Sequence, residues 1–138
     1  FSIHTGKKIR VEFPNNGEDF YGQPGRSPMA IVWTSYAVSG NVNIYYSLQN
    51  GADGTWVQLA SNYPSTGVYA WDYLRDPNIV DQNTGAVIKY SSLGRIKIID
   101  SADNKVWDVN DIPFWLNIQK TSGTKIDSYK KINIETKK

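Results

Sequence analysis

Apolar residues recur at every second position in short runs, with clusters of Gly, Pro, Asn and Asp between them. That is the pattern of half-buried strands joined by turns, and the three-and-four spacing of an amphipathic helix is hard to find. Ile9, Val11 and Phe13 alternate with Arg10 and Glu12 and stop at Pro14-Asn15-Asn16-Gly17, where Pro removes a ladder donor and Asn and Gly accept positive φ. Met29 to Ser35 is a continuous apolar run of strand length. A turn at Ser39-Gly40 then leads into Val42, Ile44 and Tyr46, which alternate with Asn43 and Tyr45. The Asn-Gly and Asp-Gly pairs within residues 48–54 predict a hairpin that returns through Thr55 to Ala60.

Val68 to Tyr73 alternates again and places Tyr69, Trp71 and Tyr73 on one face. The stretch from Arg75 to Ser92 is polar and rich in turn residues, so it reads as a long excursion holding at most a short strand at Ala86 to Tyr90. Arg95 to Ile99 and Phe114 to Ile118 complete the set, separated by the acidic turn Asp100 to Asn104 and a short extended piece around Val106-Trp107. Seven to eight strands without helices predict an all-β fold, an Ig-like antiparallel β-sandwich, with a small barrel as the structural alternative. Residues 1–8 read as an N-terminal extension, 9–118 as the sandwich, and 119–138 as a basic extension or extra strand. Both ends are suited to adding a strand to a neighbour's sheet.

Composition narrows the chemistry. The 138 residues include no Cys and a single His, His4, so disulfides, thiolate metal sites and thiol catalysis are excluded, and any Ser-His or multi-His site would have to use His4. No cofactor is expected, and an enzyme is not the favoured reading. Residues 1–118 carry 9 Lys/Arg and 11 Asp/Glu, or −2, whereas 119–138 carry 6 Lys and 2 acids, or +4. A near-neutral body with a basic tail lacks the charge of a dedicated nucleic-acid binder, and no run approaches the roughly 18 apolar residues of a membrane span. Beginning at Phe1, the chain reads as a processed product or a piece of something longer, which leaves export open.

The order of the motifs adds a resemblance. Pro14-Asn15-Asn16-Gly17-Glu18, Ile31-Val32-Trp33, Val42 to Ser47, Gly54-Thr55-Trp56, Thr66 to Trp71, Arg95 to Ser101 and Asn110 to Phe114 resemble the Ig-like or fibronectin-III-like repeats of bacterial and archaeal surface proteins. The pattern is similar, too, to the Kre9/Knh1-like domain of wall-associated proteins. The resemblance spans about Val11 to Ile118. It implies a non-catalytic module that acts as spacer, adhesive unit or decoration on the outside of a cell, an extracellular fibre or a virion, with neighbouring protein subunits as partners. Residues 50–53 and 76–92 add chain beyond the usual repeat, which marks these loops as contact elements.

Candidate contact residues are therefore Asn50, Asp53 and Trp56 on the first loop, Asp76, Asn78 and Asn83 on the second, and Trp107 between charged Lys105 and Asp108. Trp33 and Trp71 lie inside strong strand patterns and are expected in the core. Trp56 and Trp107 are the exposed platforms, and with Tyr45, Tyr63 or Tyr73 they support an alternative function, carbohydrate binding by stacking on pyranose rings. Asp100, Asp103, Asn104, Asp108 and Asp111 form an oxygen-rich cluster. Without EF-hand spacing they are expected to close turns, not to bind calcium.

Overall fold

The computed structural model describes residues 6–21, 29–38, 40–73, 76, 79–88 and 90–117. Nine strands follow in order among them: β1 (Lys8–Phe13), β2 (Asp19–Tyr21), β3 (Met29–Tyr36), β4 (Asn41–Ser47), β5 (Val57–Pro64), β6 (Val68–Trp71), β7 (Tyr90–Asp100), β8 (Asp103–Val109) and β9 (Phe114–Asn117). One sheet has the order β1-β3-β6, and the other has β2-β9-β7-β4-β5 with β8 also paired to β7. The fold is thus all-β, two sheets packed as a sandwich.

The alternation of the sequence sets which side chains meet between the sheets. Ile9 and Val11 of β1, Met29, Ile31 and Trp33 of β3 and Trp71 of β6 face Val42, Ile44 and Tyr46 of β4, Ile96 and Ile98 of β7, and Phe114 and Leu116 of β9, all buried. Period-two burial is the reason polar partners such as Arg10, Asn43 and Lys97 tolerate the intervening positions. Trp33 and Trp71 are each 2% exposed, as expected of core tryptophans. Trp71 stacks on Tyr46 with centroids 4.4 Å apart and meets Tyr73 and Phe114 edge-on.

The strand count exceeds the expected seven to eight for two reasons. β2 has only three residues, too few to show a period, and it pairs in parallel with β9. The extended piece at Val106-Trp107 is part of a full strand, β8, paired antiparallel to β7. β7 is long enough to serve two partners on one edge: Tyr90 to Gly94 pair with β9, and Lys97 to Asp100 with β8. Its other edge holds β4.

Asn110 makes that division possible. Its side chain is buried where β8 turns into β9, and it stands in for a strand: Oδ1 accepts from the Ile96 amide at 2.9 Å, while Nδ2 donates to the Gly94 and Ile112 carbonyls. Buried backbone groups need partners, and here one amide side chain supplies three of them. Arg95 Nη1 closes the same kink by donating to the carbonyls of Asn110 and Asp111.

The free edge of β1 is closed in a different way. The Val11 amide donates to Asp108 Oδ2 of β8 at 2.8 Å, a carboxylate replacing a missing strand at a sheet edge. Of the terminal extensions, residues 6–8 are described and Lys8 opens β1, whereas residues 1–5 and the basic stretch 119–138 lie outside the described residues.

Candidate interaction surface

The two loops singled out by sequence meet at one end of the sandwich. In the β4–β5 connection, Asn50 (φ 63°) and Gly51 (φ 73°) adopt the left-handed conformation that an Asn-Gly pair accepts at low cost. Beneath it, Thr55 Oγ1 donates to the Ala52 carbonyl, so the 2.7 Å contact between the buried Ser47 and Thr55 hydroxyls has Ser47 as donor. Ser47 Oγ in turn accepts from the amides of Gln49 and Gly51.

Residues 79–88 form a small hairpin of their own, with Val80 bridged to Val87 and Ile79 buried as its anchor. The expected short strand at Ala86 to Tyr90 is this single bridge at Val87, and Tyr90 instead opens β7. Asp81 accepts from the amides of Asn83 and Thr84, and those backbone bonds hold its carboxyl below the ordinary carboxylate range. The Gln82 amide donates to Gln49 Oε1 at 3.1 Å, which joins the two loops.

The geometry gives several candidate residues structural duties. Asn50 Oδ1 accepts from Arg95 Nε, and Asp76 Oδ2 accepts from Trp71 Nε1, so both brace the loop end. Asn83 contributes its backbone to the Asp81 turn, its side chain lies exposed, and Asp53 is exposed at the loop apex. Asn78 lies outside the described residues.

Near Asp76, Tyr46 Oη is buried with no hydrogen-bond partner of normal geometry. Burial above all, and then the nearby Asp76 charge, pushes its pKa well above the ordinary 10.0. A phenol whose pKa is raised by folding contributes stability that is present below its unfolded pKa and is lost as pH rises past it. Urea midpoints of the wild type should therefore fall between about pH 9 and about pH 11 more steeply than those of Tyr46→Phe. At neutral pH the variant should match or slightly exceed the wild type, because it loses only an unsatisfied hydroxyl. Parallel pH profiles for the two proteins would contradict this.

The outer face of the larger sheet carries three of the four most exposed aromatic groups among the described residues, the fourth being Tyr36 on the smaller sheet. Lys97 of β7 stands between two indoles, its Nζ 4.9 Å from the Trp56 ring centre and 5.6 Å from that of Trp107. Trp107 is 52% exposed, and Trp56 is half-buried because its ring packs over Gly51. Tyr45 lies in register with Lys97 and accepts a long hydrogen bond from Gln58. Trp56, Trp107 and Tyr45 thus share one face, but Tyr63 and Tyr73 do not join them. Tyr63 pairs with buried Val42 and packs edge-on to Trp33 and Tyr69, and Tyr73 is 1% exposed among Trp71 and Phe20.

Farther along the same face, Tyr90 and Trp115 form an edge-to-face pair at 6.0 Å and are 50% and 44% exposed. Sequence reasoning assigned no role to Trp115, although alternation with Phe114 and Leu116 already places it on the opposite face from the core.

Within the acidic cluster, Asp100 and Asp103 close turns, whereas Asp108 reaches across to β1. Asp100 Oδ1 accepts from the Ala102 amide, Asp103 Oδ1 from that of Lys105, and Asp108 Oδ2 from Val11. The Asp111 amide is held by Asn15 Oδ1. Among the described residues no three acidic or imidazole side chains converge as a metal site would require. An open groove of about 690 Å3 runs between β1 and β8, its wall of mixed charge including Lys7, Arg10, Trp107, Asp103, Asp108 and Asp111, with Lys7 paired to Asp103 at 3.8 Å.

No family model, curated protein or solved structure matches this chain. The case for what it does therefore rests on the sequence motifs and on this geometry.

Proposed function

We propose that the chain is an Ig-like module of the fibronectin-III-like kind, a non-catalytic interaction and structural unit displayed on a cell surface, an extracellular fibre or a virion. Supporting the fold part is the strand order. With β2 taken as an offshoot of the first strand and β8–β9 as one kinked strand, the first, second and fifth main strands oppose the third, fourth, sixth and seventh, an arrangement close to that of Ig domains.

The observation that carries the functional part is the outer face of the larger sheet. It exposes Trp107, Trp115 and Tyr90, residue types enriched where proteins bind partners. Its partners are neighbouring protein subunits, and the joined 49–55 and 79–88 loops form the rim of the contact. No nucleic acid or membrane insertion is invoked.

One observation favours the second reading, carbohydrate binding: Trp107, Trp56 and Tyr45 share a sheet face that an extended polymer could follow. Surface labelling of the protein in place on its native source, compared with purified protein, tests the main reading. Protection of the outer-face aromatics is the expected result.

A further inference from the structure

We infer that the Trp56–Lys97–Trp107 platform recognises an anionic polysaccharide, one bearing uronate carboxylates or sulfates. This rests on the second reading of the outer face, carbohydrate binding, and adds the charge class of the glycan.

Lys97 is the centre of the argument. The two ion pairs found among the described residues, Lys7–Asp103 and Arg10–Glu12, do not involve it. Its ammonium instead sits against two indole faces, where the ring quadrupoles hold it without neutralising its charge. The residues in register around it are Tyr45 on β4, Gln58 on β5, Arg95 and Ile99 on β7, and Trp107 and Val109 on β8. They bring a second cation and no carboxylate.

This patch of aromatic area and positive charge stands out against the near-neutral balance of residues 1–118. A pyranose ring can lay its C–H face on the exposed part of Trp107 while an attached carboxylate or sulfate meets Lys97 from the solvent side. Neither half of such a contact serves a neutral glycan as well. A purely structural cation–π ladder would need no such match, so the test must read binding as well as stability.

The full chain is titrated with polygalacturonate, dextran sulfate and neutral dextran, and retention is read by affinity electrophoresis with the thermal midpoint measured in parallel. The expected result is retention by one or both anionic polymers, weakened by salt, with none by dextran; which of the two binds identifies carboxylate or sulfate. Trp107→Ala and Lys97→Met should each weaken retention about tenfold or more. Lys97→Arg should keep most of it, and Tyr36→Ala, on the smaller sheet away from this face, should leave it unchanged.

Equal retention of the anionic polymers by Trp107→Ala and Lys97→Met would overturn the inference, since the binding would then come from other basic residues such as those of 119–138. Retention of neutral dextran, unaffected by Lys97→Met, would overturn the charge argument while sustaining glycan binding. Retention of none of the three would overturn the inference and leave the interaction-module reading to the labelling experiment on the native source.

Discussion

Asn110→Ala should destabilise the fold by about 3 kcal/mol, because three hydrogen bonds of a buried amide are lost and their backbone partners stay buried. The Ile96 amide and the Gly94 carbonyl would each lose the side-chain partner that replaces a strand at the β8–β9 kink. A urea titration should show the midpoint falling with the slope unchanged. The effect should extend to the working surface, since the same kink sets β8 over β7 and keeps Trp107 beside Lys97. A midpoint equal to that of the wild type would show that water or a backbone shift satisfies these groups, and that the kink does not depend on Asn110.

Gly94→Ala should cost about 2 kcal/mol for a reason unconnected with backbone conformation, in the range found when an extra carbon is forced into a filled core. A Cβ at this position would lie 2.5 Å from Phe114 ring atoms. Phe114 is fully buried and hemmed in edge-on by Phe20 and Trp71, so its ring has nowhere to move. The prediction includes a rescue. Phe114→Leu alone should be destabilising, but combined with Gly94→Ala it should cost less than the sum, a coupling that a double-mutant cycle reads directly. Additive losses would rule out the steric account.

The main strands were legible because burial on one face imposes a period of two, and that period is written plainly in Val42, Ile44 and Tyr46 and in Ile96 and Ile98. β8 was underestimated because Asp103, Asn104 and Lys105 are polar in sequence, although Asp103 belongs to the strand's pairing with β7. The aromatic platform was half visible. Trp56 and Trp107 stood out as tryptophans beside turns and charges, but Lys97, which joins them, lies 41 residues beyond Trp56 and 10 before Trp107, and it meets Trp56 only because β4 and β5 fold back beside β7.

Tyr73 illustrates the opposite limit. Alternation puts it on the same face as core Trp71, which conflicts with its role as a glycan-stacking candidate, and packing against Phe20 and Trp71 resolves the conflict in favour of the core. Asn50 and Asp76, read as contact residues from their loops, also brace those loops, because Arg95 and the Trp71 indole approach them in space. A polar residue in an inserted loop looks the same in sequence whether it faces a partner or its own fold.

The central claim, that the outer face of the larger sheet is where this module meets its partner, is tested most directly by hydroxyl-radical labelling followed by mass spectrometry. The protein is labelled in place on its native source and again after purification. Trp107, Trp115 and Tyr90 should be protected in place and labelled once purified, while Tyr36, 67% exposed on the smaller sheet, should react equally in both and serve as the internal control. Equal labelling of all four residues in both settings would contradict the account.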